Sequence, residues 1–305
     1  MSVLHLFAYT RAAAAFLFFA ALNLAALPAG EARAQSAMET FSLGKITVVA
    51  LFDHPAAHDI KLFSGADPAV IMALAPSGLV ESSVNAFLVQ NGDTNSLIDT
   101  GMGSGAGGEL VHSLALLGLT PADIDVILLT HMHFDHIGGL ALDGRPVYPN
   151  ATLRIANAEQ AFWLAPDAAN LKGSPYIAFG PAKAAAAAYS GRMQGFEFGQ
   201  EAAPGIIAVR AVGHTPGHTA YLVQSEGWKL LIWGDVTHAM ALQMPHPEIY
   251  PAYDYDPVTA TATRETILEQ VSRDNIPVAG MHIPFPGVGR VQKAPAGGYN
   301  FTPGL

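Results

Sequence analysis

The sequence predicts an α/β protein of four layers, αβ/βα: two mixed sheets packed face to face, with helices on the outer faces. Three observations predict it. Apolar runs of strand length alternate with helical segments, as layered α/β domains require. The alternation falls into two similar halves. Histidines and aspartates follow directly on several of the apolar runs, at strand ends where α/β proteins collect their sites. A chain of 305 residues is long for one domain yet within the range of single layered enzymes, so residues 35–305 are read as one domain.

The first 34 residues stand apart. Arg11 precedes the apolar stretch 12–27, and EARAQS (31–36) puts Ala32 and Ala34 at the small-residue positions of a signal-peptidase site. Residues 1–34 are therefore expected to be a signal peptide cleaved after Ala34, giving a periplasmic or secreted product. The apolar stretch of 16 residues is shorter than the ~20 that a spanning helix needs, so no stable membrane anchor is expected. There is no cysteine, which excludes disulfides, thiolate ligands, a cysteine nucleophile and a lipidated N-terminal cysteine. Fifteen basic residues stand against 25 acidic ones, without long runs, which argues against a nucleic-acid partner.

In the first half KITVVAL (45–51), NAFLVQ (85–90) and NSLID (95–99) read as strands, the last two a hairpin closed by NGDTN. Residues 108–117 read as a short helix, and TPAD (120–123) opens another with Thr120 as cap and Pro121 at the first helical position. DVILL (125–129) is a buried strand. TLRIA (152–156) is a strand and NAEQAFWLA (157–165) a capped helix, followed by irregular chain and the helix AKAAAAAYS (182–190). This middle region reads as an insertion. The second half brings the strands GIIAVRAV (205–212), TAYLVQS (219–225) and WKLLIWGD (228–235), a helix over 257–273, and the strand PVAGM (277–281).

Directly after DVILL stands THMHFDHIGG (130–139). His131 and His133 point the same way in an extended segment, and Asp135 and His136 follow as the chain turns. His214, Asp235 and His282 each end a later strand, so all can converge with the cluster. His218 competes with His214, but lies beyond the Thr-Pro-Gly turn and reads as a supporting residue. Five imidazoles and two carboxylates exceed the roughly four ligands of one zinc and suit two ions ~3.5 to 4 Å apart. Asp235 is the bridging candidate: two oxygens on a short stem reach both ions, and Gly234 before it leaves room. Two divalent ions are expected, zinc by default, with manganese, cobalt or iron compatible with the same nitrogen and oxygen ligands.

HMHFDH with IGG behind it, GHTPGHT (213–219), WGD (233–235), GMH (280–282) and LIDTG (97–101) form, in this order, the motif set of the metallo-β-lactamase superfamily. The chain resembles that family over nearly its whole mature length. The resemblance implies that His131, His133 and His214 hold one metal, that Asp135, His136 and His282 hold the other, that Asp235 bridges, and that Asp99 braces the site without ligating. An aspartate at the bridging position tells against antibiotic cleavage, since true β-lactamases of this fold do not use one. AFWLA (161–165), HIPFPGVG (282–289) and GGYNFTP (297–303) resemble methyl parathion hydrolase and its lactonase and arylesterase kin.

The chemistry expected is attack on a lactone, aryl ester or phosphotriester by a water that loses its proton between two dications. Asp135 is expected to accept and pass on a proton. Phe63, Phe162, Trp163 and His238 are pocket candidates. The first lies at the end of the expected loop 54–63, and the next two lie on the helix after TLRIA. Trp163 reads equally as a core aromatic, and His238 equally as a solvated loop residue. The segment LFDHPAAHDIKLF (51–63) suits a homodimer contact or a substrate lid. Rival readings are a thioesterase of the glyoxalase II type and a non-catalytic exported binding protein stabilised by metal.

Overall fold

A computed structural model describes residues 37–166 and 178–305; the expected signal peptide lies outside them. The first half is built from β1 (Met38–Leu43), β2 (Ile46–Asp59), β3 (Phe63–Ser64), α1 (Pro68–Leu74), β4 (Leu79–Asn91), β5 (Thr94–Ile98) and α2 (Leu110–Leu116). After these come β6 (Val126–Leu128), α3 (Phe134–Ile137), β7 (Ala141–Leu142), β8 (Arg145–Pro146), β9 (Thr152–Ala156), α4 (Asn157–Trp163), α5 (Phe179–Ala188) and β10 (Met193–Phe196). Seven of these strands form one mixed sheet in the order β1-β2-β4-β5-β6-β9-β10, antiparallel as far as β5 and parallel from there on.

The second half repeats the plan with β11 (Glu201–Ala203), β12 (Ile206–Arg210), β13 (Thr219–Ser225), β14 (Trp228–Ile232), α6 (Met240–Gln243), β15 (Tyr250–Pro251), α7 (Pro257–Asp274), β16 (Val278–Ala279), β17 (Val288–Lys293) and β18 (Tyr299–Pro303). Its sheet runs β11-β12-β13-β14-β16-β17-β18, with the single parallel pairing at β14 and β16.

Strand periodicity explains the layers. Val48 and Ala50 of β2 face one cluster while Val49 and Leu51 face another, as side chains alternate along a strand. The first cluster joins Val48, Phe87, Val89 and Leu128 to Ile206, Tyr221, Val223 and Ile232, and is the apolar layer between the sheets. Outside the first sheet, Val49, Leu88 and Ile127 pack against Leu114 of α2, Trp163 of α4 and Ala182 of α5. Outside the second, Ala220 and Leu231 pack against Ile267, Leu268 and Val271 of α7. The order is αβ/βα.

Several local expectations are corrected. The segment 54–63 is not a loop: β2 shifts register between Phe52 and His54 and continues to Asp59, paired with Leu79–Val84 of β4. Beyond Phe52 it has lost β1 as a neighbour, so Pro55, which lacks an N–H, lies on an open edge that tolerates it. TPAD makes one 3-10 turn and no longer helix; Asp123 accepts from the Thr120 amide and hydroxyl, and the chain must be extended again by Val126. Asn157 does not cap α4, because its amide donates to Glu197. The main-sheet strands β1, β10, β11, β17 and β18 are not among the strands expected from the sequence.

Candidate metal centre

The strand β6 delivers the cluster to the edge between the sheets. His131 and His133 lie on extended backbone, and the single turn α3 then brings Asp135 and His136 round. His214 follows β12, Asp235 follows β14 and His282 follows β16. All seven converge.

They form two groups. The His133 Nδ1 lies 2.9 Å from both His131 Nε2 and His214 Nε2, and those two are 3.2 Å apart. Asp235 Oδ2 completes this group at 3.6 Å from His131 and 3.3 Å from His214. In the second group Asp135 Oδ2 lies 3.6 Å from His136 Nε2 and 3.3 Å from His282 Nε2. The same Asp235 Oδ2 is 3.3 Å from His136 and 3.2 Å from His282. Metal–ligand bonds of ~2.0 to 2.2 Å about a tetrahedral ion put ligand atoms a little over 3 Å apart. These spacings fit, and each group can hold an ion. His136 Nε2 and Asp235 Oδ1 are buried without a hydrogen-bond partner in the protein, as expected of atoms that serve a metal.

Several of the candidate ligands are held from behind. His136 Nδ1 is 2.7 Å from Asp99 Oδ2, while Asp99 Oδ1 accepts from the Thr130 amide. Asp99 adopts a left-handed φ of 59°, a strained conformation of the kind held at functional turns. His214 Nδ1 is 2.8 Å from Asp254 Oδ1, and the Arg264 guanidinium stands 3.4 Å from the other oxygen of that carboxylate. His282 is seated by β4: Ser82 donates to its carbonyl, and Ser83 and Asn85 donate to the carbonyl of Ile283. His218 is a strut, 2.7 Å from the Ala211 carbonyl and accepting the Asp235 amide at 2.9 Å. A side chain at Gly234 would run into that ring, which is why glycine precedes Asp235.

The electrostatics follow from seven polar groups in a buried space. Burial pushes His131 and His133 well below the ordinary histidine range, leaving them neutral and ready to ligate. For Asp135 burial acts upward, but His136 and His282 outweigh it and hold the carboxyl below its usual range. Asp235 is held well below for the same reason, His136 and His282 outweighing its burial. Burial pushes His218 down to about 3, with the neighbouring His214 adding to it, so it stays neutral in its supporting place.

The pocket candidates separate. His238 is buried, with Nε2 3.0 Å from Asp235 Oδ2 and its ring stacked 5.1 Å from His282. It is no solvated loop residue, and with Asp235 and His282 it forms a third group of ligand type. Trp163 is fully buried, donates to Glu159, and packs edge-on against His133 at 5.5 Å. Phe162 is partly buried against Tyr255 at 4.8 Å. Phe63 is buried in a small cluster and touches His58, which in turn packs on His238 and His282. Sequence reasoning missed Asp254, Arg264, Glu159 and His58. Only Glu159 carried a legible signal, a carboxylate four residues before Trp163 on one helix face.

A family model described as metallo-beta-lactamase superfamily matches residues 79–282. A hydrolase of the beta-lactamase superfamily, AbOPH, superposes with a TM-score of 0.82 at 29% identity, over 88% of this chain and 98% of that one. AidC, a dizinc quorum-quenching lactonase solved with a product, N-hexanoyl-L-homoserine, superposes with a TM-score of 0.79 at 26% identity, again over 88% and 98%. A ribonuclease of Thermus thermophilus is 30% identical over 192 residues, 60% of this chain and 42% of that protein. The chain thus spans less than half the length of that relative. A match over most of the chain, on the fold and ligand order described above, has one meaning: the chain belongs to the metallo-beta-lactamase superfamily.

Proposed function

We propose that the protein is an exported, dinuclear hydrolase of lactones, aryl esters or organophosphate triesters. One observation carries the reading: a single oxygen, Asp235 Oδ2, lies within 3.6 Å of ligand nitrogens in both groups. Such sharing suits a carboxylate placed between two ions. The likeness to a dizinc lactonase supports both the ion count and the ester class. His131, His133, His214 and Asp235 would hold one ion, and Asp135, His136, His282 and Asp235 the other. Bound ions supply a deprotonated water as nucleophile near neutral pH and polarise the oxygen under attack.

The chain's own residues do the rest. The Asp135 side chain, 32% exposed, is the most open of the carboxylates at the centre, and Phe134 beside it is 43% exposed at the rim. Ionised at neutral pH, Asp135 can take a proton from the nucleophile and return it to the departing oxygen. His238, neutral because burial pushes it well below its ordinary range, has its one N–H at Nε2 to offer Asp235 Oδ2, 3.0 Å away, and so orients that carboxylate. The net charge of -10 disfavours a polyanionic substrate such as RNA.

The test is a kinetic panel on the zinc-loaded mature chain: an N-acyl homoserine lactone, dihydrocoumarin, an aryl ester, methyl parathion, a thioester, a β-lactam and RNA. Highest kcat/KM on the lactones, aryl ester or phosphotriester is expected. Preference for the thioester, the β-lactam or RNA, or no metal-dependent turnover at all, would overturn the reading. Export is checked by N-terminal sequencing of the protein from cell fractions, with Gln35 expected first; an uncleaved cytosolic product contradicts it.

A further inference from the structure

We propose that Glu159 on α4 is the positioning residue of the trihistidine group. It clamps together the two loops that carry His131, His133 and His214, and so sets that group's hold on its ion. The inference rests on the reading that this group binds an ion.

Glu159 is fully buried, and both of its oxygens are used twice. Oε1 accepts from the Met132 amide at 3.0 Å and the Trp163 indole at 2.5 Å. Oε2 accepts from the Thr215 hydroxyl at 2.7 Å and the Gly217 amide at 2.8 Å. Met132 stands between His131 and His133, while Thr215 directly follows His214. One carboxylate therefore bonds to the backbone between two ligands and to the neighbour of the third.

The two loops leave different sheets, β6 in the first and β12 in the second. They are tied at their bases by the Thr219 amide donating to the Thr130 carbonyl at 2.9 Å, and Glu159 ties them at the level of the ligands. Gly217 packs directly on the Glu159 backbone, where any side chain would collide, so helix and loop touch without a gap. The indole that Glu159 holds is the same one that packs against His133. The clamp thereby also fixes the plane of that ring.

The chemistry demands a carboxylate. Four donors converge on two oxygens, and only an ionised acid offers that many acceptor positions without presenting a donor of its own. A glutamine would turn an N–H₂ toward two of the donors, and a backbone amide cannot rotate away. The second group draws nothing from Glu159, since Asp99 braces His136 and β4 seats His282. Loss of the clamp should therefore be selective.

The experiment uses the mature chain loaded with zinc alone, and compares Glu159→Gln and Thr215→Val with the unmodified protein. Zinc content after gel filtration, chelator competition and the absorption spectrum of the cobalt-substituted protein are read. The unmodified chain should hold two ions. Each variant should release one of them about 10- to 100-fold more readily, keep the other as before, and lose the cobalt band of one site only. A general loss of stability would weaken both ions together, and that outcome overturns the proposal, as does chelator sensitivity equal to the unmodified chain's. Should Glu159→Gln fail to fold, Thr215→Val decides, because it removes one donor with almost no change of volume. If the unmodified chain takes up no ion at the trihistidine group, the dinuclear reading fails as well; if only the variants behave like the unmodified chain, this inference alone fails.

Discussion

Asp235 is the residue on which the proposed centre depends, because its Oδ2 lies among four candidate ligand nitrogens and beside His238. An asparagine there would turn an amide toward imidazoles that need a shared anion. Asp235→Asn is expected to retain less than one zinc per chain and to lose at least ~100-fold in kcat on an aryl ester. Retention of two zincs with kcat within a few-fold would contradict the role given to it. Three histidines carry the pH dependence of the metal-free protein; for His136 burial acts downward, but Asp235, Asp135 and Asp99 outweigh it and raise it well above its ordinary range. Burial pushes His214 down, but hydrogen bonds to Asp235 and Asp254 outweigh it and raise it to about 9. Burial opposes His282 as well, and Asp235 and Asp135 raise it to about 10. All three folded values exceed the ~6.5 of an unfolded histidine. Their stabilisation is therefore complete below about pH 6.5, and the share of His214 and His282 is lost as pH rises through 9 to 10. The depressed carboxylates stay ionised throughout that window and add no slope. Chelator-treated protein should lose on the order of 5 °C in Tm between pH 7 and 10, and zinc-loaded protein less, since its ligand histidines are already neutral. A chelated protein whose Tm is flat or rises across this range would contradict the assignment.

At the scale of the element, α7 does more than cover the second sheet. Its Arg264 is buried, donates to the carbonyls of Val236, Pro247 and Ile249, and faces Asp254, which in turn holds His214. Arg264→Leu would take the guanidinium from a buried carboxylate, leaving it only His214, and would leave three carbonyls without this donor. A loss of about 3–5 kcal/mol in urea unfolding is expected; a loss under ~1 kcal/mol would show that the pair carries little. The elements best read from sequence were those whose pattern is local. TLRIA and TAYLVQS become β9 and β13 with the same bounds, and the β4–β5 hairpin turns where NGDTN places it. The tail of β2 was unreadable because PAAHD has no strand pattern, and β4 across the ladder makes it one. The seven candidate ligands that the fold brings together were legible because each follows a strand or its turn and is of a type that binds metal. Asp254 was not, because it looks ordinary until the fold brings it to a partner 40 residues away, and Glu159 showed only its spacing to Trp163, not its partner 58 residues away.

Taken whole, residues 37–166 and 178–305 form two similar sheets that share an apolar layer and an edge whose side chains could hold metal. The first half contributes His131, His133, Asp135 and His136; the second contributes His214, Asp235 and His282. The centre exists only when both halves are packed together, so folding and metal binding should be linked. This plan was legible from the repeated order of strands and helices, while the two-stranded additions β3–β15 and β7–β8 were not, since a two-residue strand carries no period. The chain belongs to the metallo-beta-lactamase superfamily, and in the reading proposed above the shared Asp235 Oδ2 argues for two ions acting as one unit. That claim is tested most directly by adding zinc stepwise to the metal-free mature chain while following hydrolysis of an N-acyl homoserine lactone or an aryl ester. Activity that climbs to its plateau only at two equivalents per chain is the predicted result; full activity at one equivalent, or none at any ratio, would contradict it.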